Sequence, residues 1–157
     1  MSDFKIRQAS EKDFFDNWPS DWPSKTHFAN QHKVRLEQRE EFQRLLAEGA
    51  GETALERFLG ANPEVLALTM YMYMTGHHAA WIYPKAQIRA ANDDIRGLIP
   101  DYILAEASSN GVSWFMLELK GASQRAFTKK GTRVYLSSVA NQGVSQLLNY
   151  MDVASHS

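Results

Sequence analysis

The chain has 157 residues, 44% of them hydrophobic and 22% charged, with four Trp and a formal net charge of −1; this is one folded domain's worth of core, and too little for two. The absence of cysteine excludes a disulfide framework, a thiol nucleophile and thiolate metal centres. The opening MSDFKIRQASEKDFF has no apolar leader, and no stretch approaches the roughly 20 apolar residues of a membrane span, so a cytoplasmic location without a membrane partner is expected.

Charge is unevenly placed. Residues 1–120 hold 13 Lys/Arg against 17 Asp/Glu, whereas residues 121–157 hold 4 against 1. The positive charge needed to hold a phosphate backbone is therefore gathered late in the chain.

In chain order, Trp18-Pro19-Ser20-Asp21 and Trp22-Pro23-Ser24 form a small tandem. Each Pro disfavours helix at the Trp before it, and a loop packed on its own domain is the expected outcome. A largely solvated helix is predicted from about Thr26 to Glu48, stopped by Gly49. In GETALERFLGANPEVLAL, residues Ala54, Leu55, Phe58 and Leu59 share a helical face; the helix breaks at Gly60, and a second starts with Asn62 as cap and Pro63 at its first position. The run Leu68 to Met74 has the period of a strand and the length of a helix end.

Ala79 to Ile88 is predicted as a strand interrupted at Pro84, hence an edge or a bulged one. Two apolar runs, Ile99 to Leu104 and Ser113 to Leu119, flank the turn residues Ser108-Ser109-Asn110-Gly111 and make a hairpin. The second run is apolar on both sides, as a covered central strand should be. A polar loop from Gly121 to about Arg133 and a helix from about Ser137 to Val153 complete an α/β order of helix, three strands, helix. His77-His78 and Asp93-Asp94 are left out of the site: adjacent side chains on extended backbone diverge, and an Asp pair before Gly97 reads as loop.

Glu118 and Lys120 stand two apart on a strand and so share one side, with Leu117 and Leu119 on the other. A carboxylate in so apolar a run is costly unless paired, by Lys120 or by a bound cation. Asp101, opening the neighbouring strand, supplies a second carboxylate across the ladder. Two carboxylates, the backbone carbonyl of Leu119 and water suit Mg²⁺, with Mn²⁺ as substitute. Beside such a cation Lys120 would orient an attacking water, which makes phosphodiester hydrolysis the expected chemistry. Arg125, Lys129, Lys130 and Arg133, in a loop without acidic residues, are the candidate contacts to nucleic acid.

Pro100-Asp101, a gap, then Glu118-Leu119-Lys120 resembles the PD-(D/E)xK nuclease superfamily. Within it, Glu52 with Phe58-Leu59 and Asn62-Pro63 upstream, and Gln146 with Tyr150 downstream, look like the Shedu-type bacterial anti-phage nuclease domain. The resemblance covers roughly Glu52 to Tyr150. It implies a restriction-endonuclease-like core at 51–157 behind an N-terminal loop and helical extension at 1–50. It also implies DNA as substrate, homo-oligomers, and no small-molecule cofactor. Gln146 is carried over as the supporting residue of the catalytic set, with Gln142 as second choice, and Glu52 as the acidic residue of the first core helix, with Glu56 as its competitor. The superfamily follows its last helix with a further strand, so the core is expected to be truncated or pared down at its C-terminal end. The alternative is an inactive nuclease-fold module that binds nucleic acid or a protein partner.

Overall fold

The structure is a computed structural model that describes residue 16 and residues 18–73, 79–88 and 98–155. His77-His78 and Asp93-Asp94 lie outside the described residues. The architecture is mixed α/β. Helices α1 (Leu36–Ala47), α2 (Glu52–Ala61) and α3 (Pro63–Tyr73) precede most of an antiparallel sheet, built in the order β1 (Phe28–Ala29), β2 (Ala79–Pro84), β3 (Tyr102–Ser108) and β4 (Gly111–Leu117). A separate two-stranded ribbon, β5 (Phe127–Lys130) and β6 (Arg133–Leu136), leads into α4 (Ser138–Ser155). No helix among the described residues is long and apolar enough to cross a membrane.

Strand alternation sorts the sheet into two apolar faces. Ala80, Ile82, Tyr102 and Leu104 meet Leu59 of α2 and Val65, Leu66 and Ala67 of α3. Ala79, Trp81, Ala105 and Ala107 form the other face, closed by Trp18, Trp22, Phe28 and Tyr83. The Trp-Pro tandem thus packs on its own domain. Trp18 and Trp22 stand edge-on to the fully buried Trp81, at 5.7 and 5.4 Å between ring centroids, contacts worth about 0.5–1.5 kcal/mol each beyond area burial.

Several elements differ from the sequence-based expectation. Residues 26–35 form no α-helix: short 3-10 helices at Lys25–His27 and Gln31–Lys33 flank Phe28 and Ala29, which pair with Trp81 and Ala80, and the Asn30 side chain caps the second by accepting the His32 amide. Burying Phe28 against the Trp cluster and adding a strand outweighs local helix propensity, so α1 starts only at Leu36. There Gln38 Oε1 accepts the Arg35 amide at 2.8 Å, an N-terminal cap. The Gln38 amide also donates to Asn62 and Glu64, at 2.6 and 2.5 Å, and ties α1 to the α2–α3 junction. Helix α2 runs through Gly60 to Ala61 before Asn62 ends it, and α3 starts at Pro63 as expected. The Leu68 to Met74 run is helical through Tyr73.

β2 ends at Pro84 and lies between β1 and β3, but β1 pairs only with Ala80 and Trp81, so Pro84 sits at the strand's end with β3 alone beside it. The hairpin forms, but its first strand is Tyr102–Ser108, four residues later than expected at its far end, because Gly111 (φ +106°) turns the chain right after Ser109-Asn110. β4 is the sheet edge, not its covered centre. Its residues are exposed or half-buried, Trp114 prominently so, while β3 carries the buried run. Apolarity on both sides of β4 therefore reflects partial cover by Tyr83 and by residues packed on the core, not a layer on each face. The expected polar loop at 121–133 contains most of the β5–β6 hairpin.

Candidate metal and phosphate site

The site gathers at the open end of the β3–β4 hairpin. Its ladder ends with Tyr102 paired to Leu117; continued by one step, the register sets Asp101 opposite Glu118. Both residues lie just outside the strands, Asp101 before β3 and Glu118 after β4. The carboxylate of Asp101 closes the junction, because Oδ2 accepts the Leu119 amide at 2.7 Å. At the end of β4 and just past it, Leu117 and Leu119 turn into the apolar core while Glu118 and Lys120 turn to each other. The Lys120 ammonium donates to Glu118 Oε1 at 3.0 Å and stands 3.9 Å from Glu52 Oε1. The Glu118 side chain is only 8% exposed, so Lys120 supplies the counter-charge that such burial demands.

Helix α4 roofs this pair. Gly143 lies over Lys120, where a β-carbon would stand 3.4 Å from Lys120 Cε. Two turns later the Tyr150 hydroxyl donates to Glu118 Oε2 at 3.3 Å. Burial, reinforced by the Glu118 and Asp101 charges, pushes the Tyr150 phenol above its ordinary range, so it remains a neutral donor. Gln146, between them on the helix, has its Oε1 buried with no hydrogen-bond partner among the described residues. Gln142 is exposed.

A second lysine, missed in the sequence, completes the arrangement. Lys85 follows β2 with φ +50°, in the left-handed region uncommon for non-glycine residues. Its amide donates to the Asp101 carbonyl at 3.0 Å, and its ammonium to Asp101 Oδ1 at 2.5 Å and toward Glu56 Oε1 at 3.3 Å. Asp101 holds that ammonium above its usual pKa. The only sequence signal was a lysine right after a strand-ending proline; its closeness to Asp101 depends on the β2–β3 register, in which Pro84 pairs with Tyr102. Beside it Tyr102, fully buried, donates from its hydroxyl to the Glu56 carbonyl at 3.1 Å, and an open cleft of about 290 Å³ is lined by Thr53, Glu56, Arg57, Gly60, Pro84 and Tyr102.

Both acids proposed for the first core helix thus face a lysine, Glu52 toward Lys120 and Glu56 toward Lys85. Among the described residues no three Asp, Glu or His side chains converge as one cation cage, since Lys85 and Lys120 stand between the carboxylates. The donor chemistry nevertheless fits a hard cation that keeps much of its water: two carboxylates at the hairpin end and a buried amide oxygen without a partner. Arg125, Lys129, Lys130 and Arg133 are all exposed, and the last three lie on the β5–β6 ribbon. Compared with family models, curated proteins and solved structures, the chain matches none.

Proposed function

We propose that the chain is a metal-dependent endonuclease of the PD-(D/E)xK type, on a restriction-endonuclease-like core, which hydrolyses phosphodiester bonds of DNA. The observation that carries this reading is the end of the hairpin: Asp101 bound to the Leu119 amide, and a buried Glu118 held between Lys120 and Tyr150. Asp101, Glu118 and the Leu119 carbonyl would hold Mg²⁺ or Mn²⁺, which supplies an acidified water and charge neutralisation at the phosphate. Lys120 orients the attacking water and offers a point charge to the phosphate oxygens. Tyr150 fixes Glu118, and Gln146 offers its buried amide oxygen to a water at the site. A place in anti-phage defence and assembly into homo-oligomers, with residues 1–50 as a regulatory extension, belong to the same proposal and rest on the Shedu-type resemblance alone.

Cleavage of plasmid DNA with Mg²⁺ tests it. Lys120→Ala should lower the rate about 100- to 1000-fold, the usual cost of removing a donor aimed at developing charge, and EDTA should abolish cleavage. Equal cleavage by the variant overturns the role of Lys120; cleavage that survives EDTA overturns the metal. A second reading, a nuclease-fold module that binds nucleic acid without turnover, is favoured by one observation: Lys85 already neutralises Asp101. It requires DNA binding with no cleavage under any divalent cation.

A further inference from the structure

The segment joining Lys120 to α4 holds, among the described residues, positive charge that no acidic neighbour in the sequence offsets. From Gly121 to Met151 there is no acidic residue, and within that stretch β5 and β6 form a ribbon. It is closed at its tip by Gly131 (φ +63°) and Thr132 and at its base by the Ser137 amide on the Ala126 carbonyl, 2.9 Å away. Lys130 pairs with Arg133, Lys129 with Val134, Thr128 with Tyr135 and Phe127 with Leu136. Because strand side chains alternate, the ribbon has two unlike faces. Thr128, Lys130, Arg133 and Tyr135 share one; Phe127, Lys129, Val134 and Leu136 share the other. All eight are exposed. The four basic residues of this region are therefore not equivalent, and Lys129 is set apart on the apolar side.

We infer that the β5–β6 ribbon is a duplex-contact element. Lys130 and Arg133 at its tip meet the phosphate backbone, and Thr128 and Tyr135 lie behind them on the same face. Four residues per strand at about 3.3 Å each give an arm of roughly 13 Å, and a two-stranded ribbon fits the major groove of B-DNA, about 12 Å wide. Its chain continuity suits the task, since one end follows Lys120 and the other enters the helix that carries Gly143, Gln146 and Tyr150. The proposed function supplies the reason for a duplex partner; the binding itself does not depend on turnover.

The test is fluorescence anisotropy with a labelled DNA duplex, in EDTA so that no cleavage intervenes, over a series of salt concentrations. Replacing Lys130 and Arg133 together with Ala should flatten the salt dependence by about two phosphate contacts, each contributing a slope near 0.9. Lys129→Ala should leave the slope close to that of the unaltered protein, and the charge-keeping pair Lys130→Arg, Arg133→Lys should restore it. These side chains are exposed, so the fold tolerates all three changes. An unchanged slope in the double Ala variant, or an equal loss from Lys129→Ala, overturns the face assignment. Single-stranded DNA bound as tightly as duplex overturns the groove. Duplex binding with these signatures but without Mg²⁺-dependent cleavage supports the ribbon and removes the nuclease reading, whereas cleavage with an unchanged slope does the reverse.

Discussion

Lys120 and Lys85 each stand between two carboxylates, yet their surroundings are unlike. Lys120 is 23% exposed against a Glu118 that is nearly buried, with α4 over both. Lys85 is 47% exposed, between a half-buried Glu56 and an Asp101 whose side chain is 15% exposed. Breaking a buried pair leaves an uncompensated charge and is strongly destabilising, whereas an exposed pair contributes about 0–1 kcal/mol and is easily exchanged. The comparison makes Lys120 a fixed part of the site and Lys85 a replaceable occupant of Asp101. Asp101 belongs to both clusters, offering Oδ1 to Lys85 and Oδ2 to the Leu119 amide.

Substituting Asp101 should have the largest effect, because it loosens both sides at once. Asp101→Ala leaves the Leu119 amide without its acceptor and should lower stability by about 1–3 kcal/mol. Asp101→Asn keeps an oxygen for that amide and should stay close to the native unfolding midpoint. Both variants lose the charge, so Mn²⁺ binding by calorimetry should weaken in each. Equal stability of the two, measured by urea unfolding, would show that the carboxylate does not pin the loop that carries Glu118 and Lys120.

That loop also marks the limit of what was legible in the residues. Glu118 and Lys120 were expected to share one side of a strand; β4 ends at Leu117, yet the two side chains meet at 3.0 Å just beyond it. The helix start at Pro63, the Ser108–Gly111 turn and the last helix were readable because turn chemistry is local, whereas Asn62, expected to cap the helix after it, ends the helix before it and gives its side chain to Gln38 and Phe58. β1 was not: two residues, Phe28 and Ala29, become a strand only because Trp81 and Ala80 lie alongside them. The edge position of β4 was hidden for a related reason, since a run apolar on both sides records hydrophobic composition and not which neighbours cover it. Lys85 was invisible because its partner is 16 positions away and is set by the β2–β3 register.

Lys85→Ala sharpens the comparison in the opposite direction, toward tighter binding. The ammonium is held above its ordinary pKa by Asp101, so near neutral pH it leaves by displacement and not by losing its proton. Removing it spares an incoming cation that competition. Mn²⁺ affinity should rise about fivefold, corresponding to ~1 kcal/mol for a partly exposed pair. Unchanged or weaker affinity would mean that Lys85 does not occupy the cation's place.

The smallest expected effect tests the fixed side. Tyr150→Phe removes the hydroxyl that donates to Glu118 Oε2 and should cost about 1 kcal/mol near neutral pH, the net value of one such hydrogen bond. Its pH dependence separates this contact from mere packing. The Tyr150 phenol is raised above the ordinary value of 10.0, by burial first and by Glu118 second. Above pH 10.0 the unfolded chain therefore releases a proton that the folded chain keeps, and stability falls as pH rises through the folded pKa. Tyr102 and Lys85 are also raised and contribute with the same sign, so both proteins lose stability in alkali. The variant lacks the Tyr150 share, so its curve should be shallower and the two should converge above pH 10.0. Denaturant midpoints across that range decide the matter: curves that stay parallel at every pH would show that the Tyr150 hydroxyl is not held neutral against Glu118, and would leave α4 as a cover without a polar grip on the site.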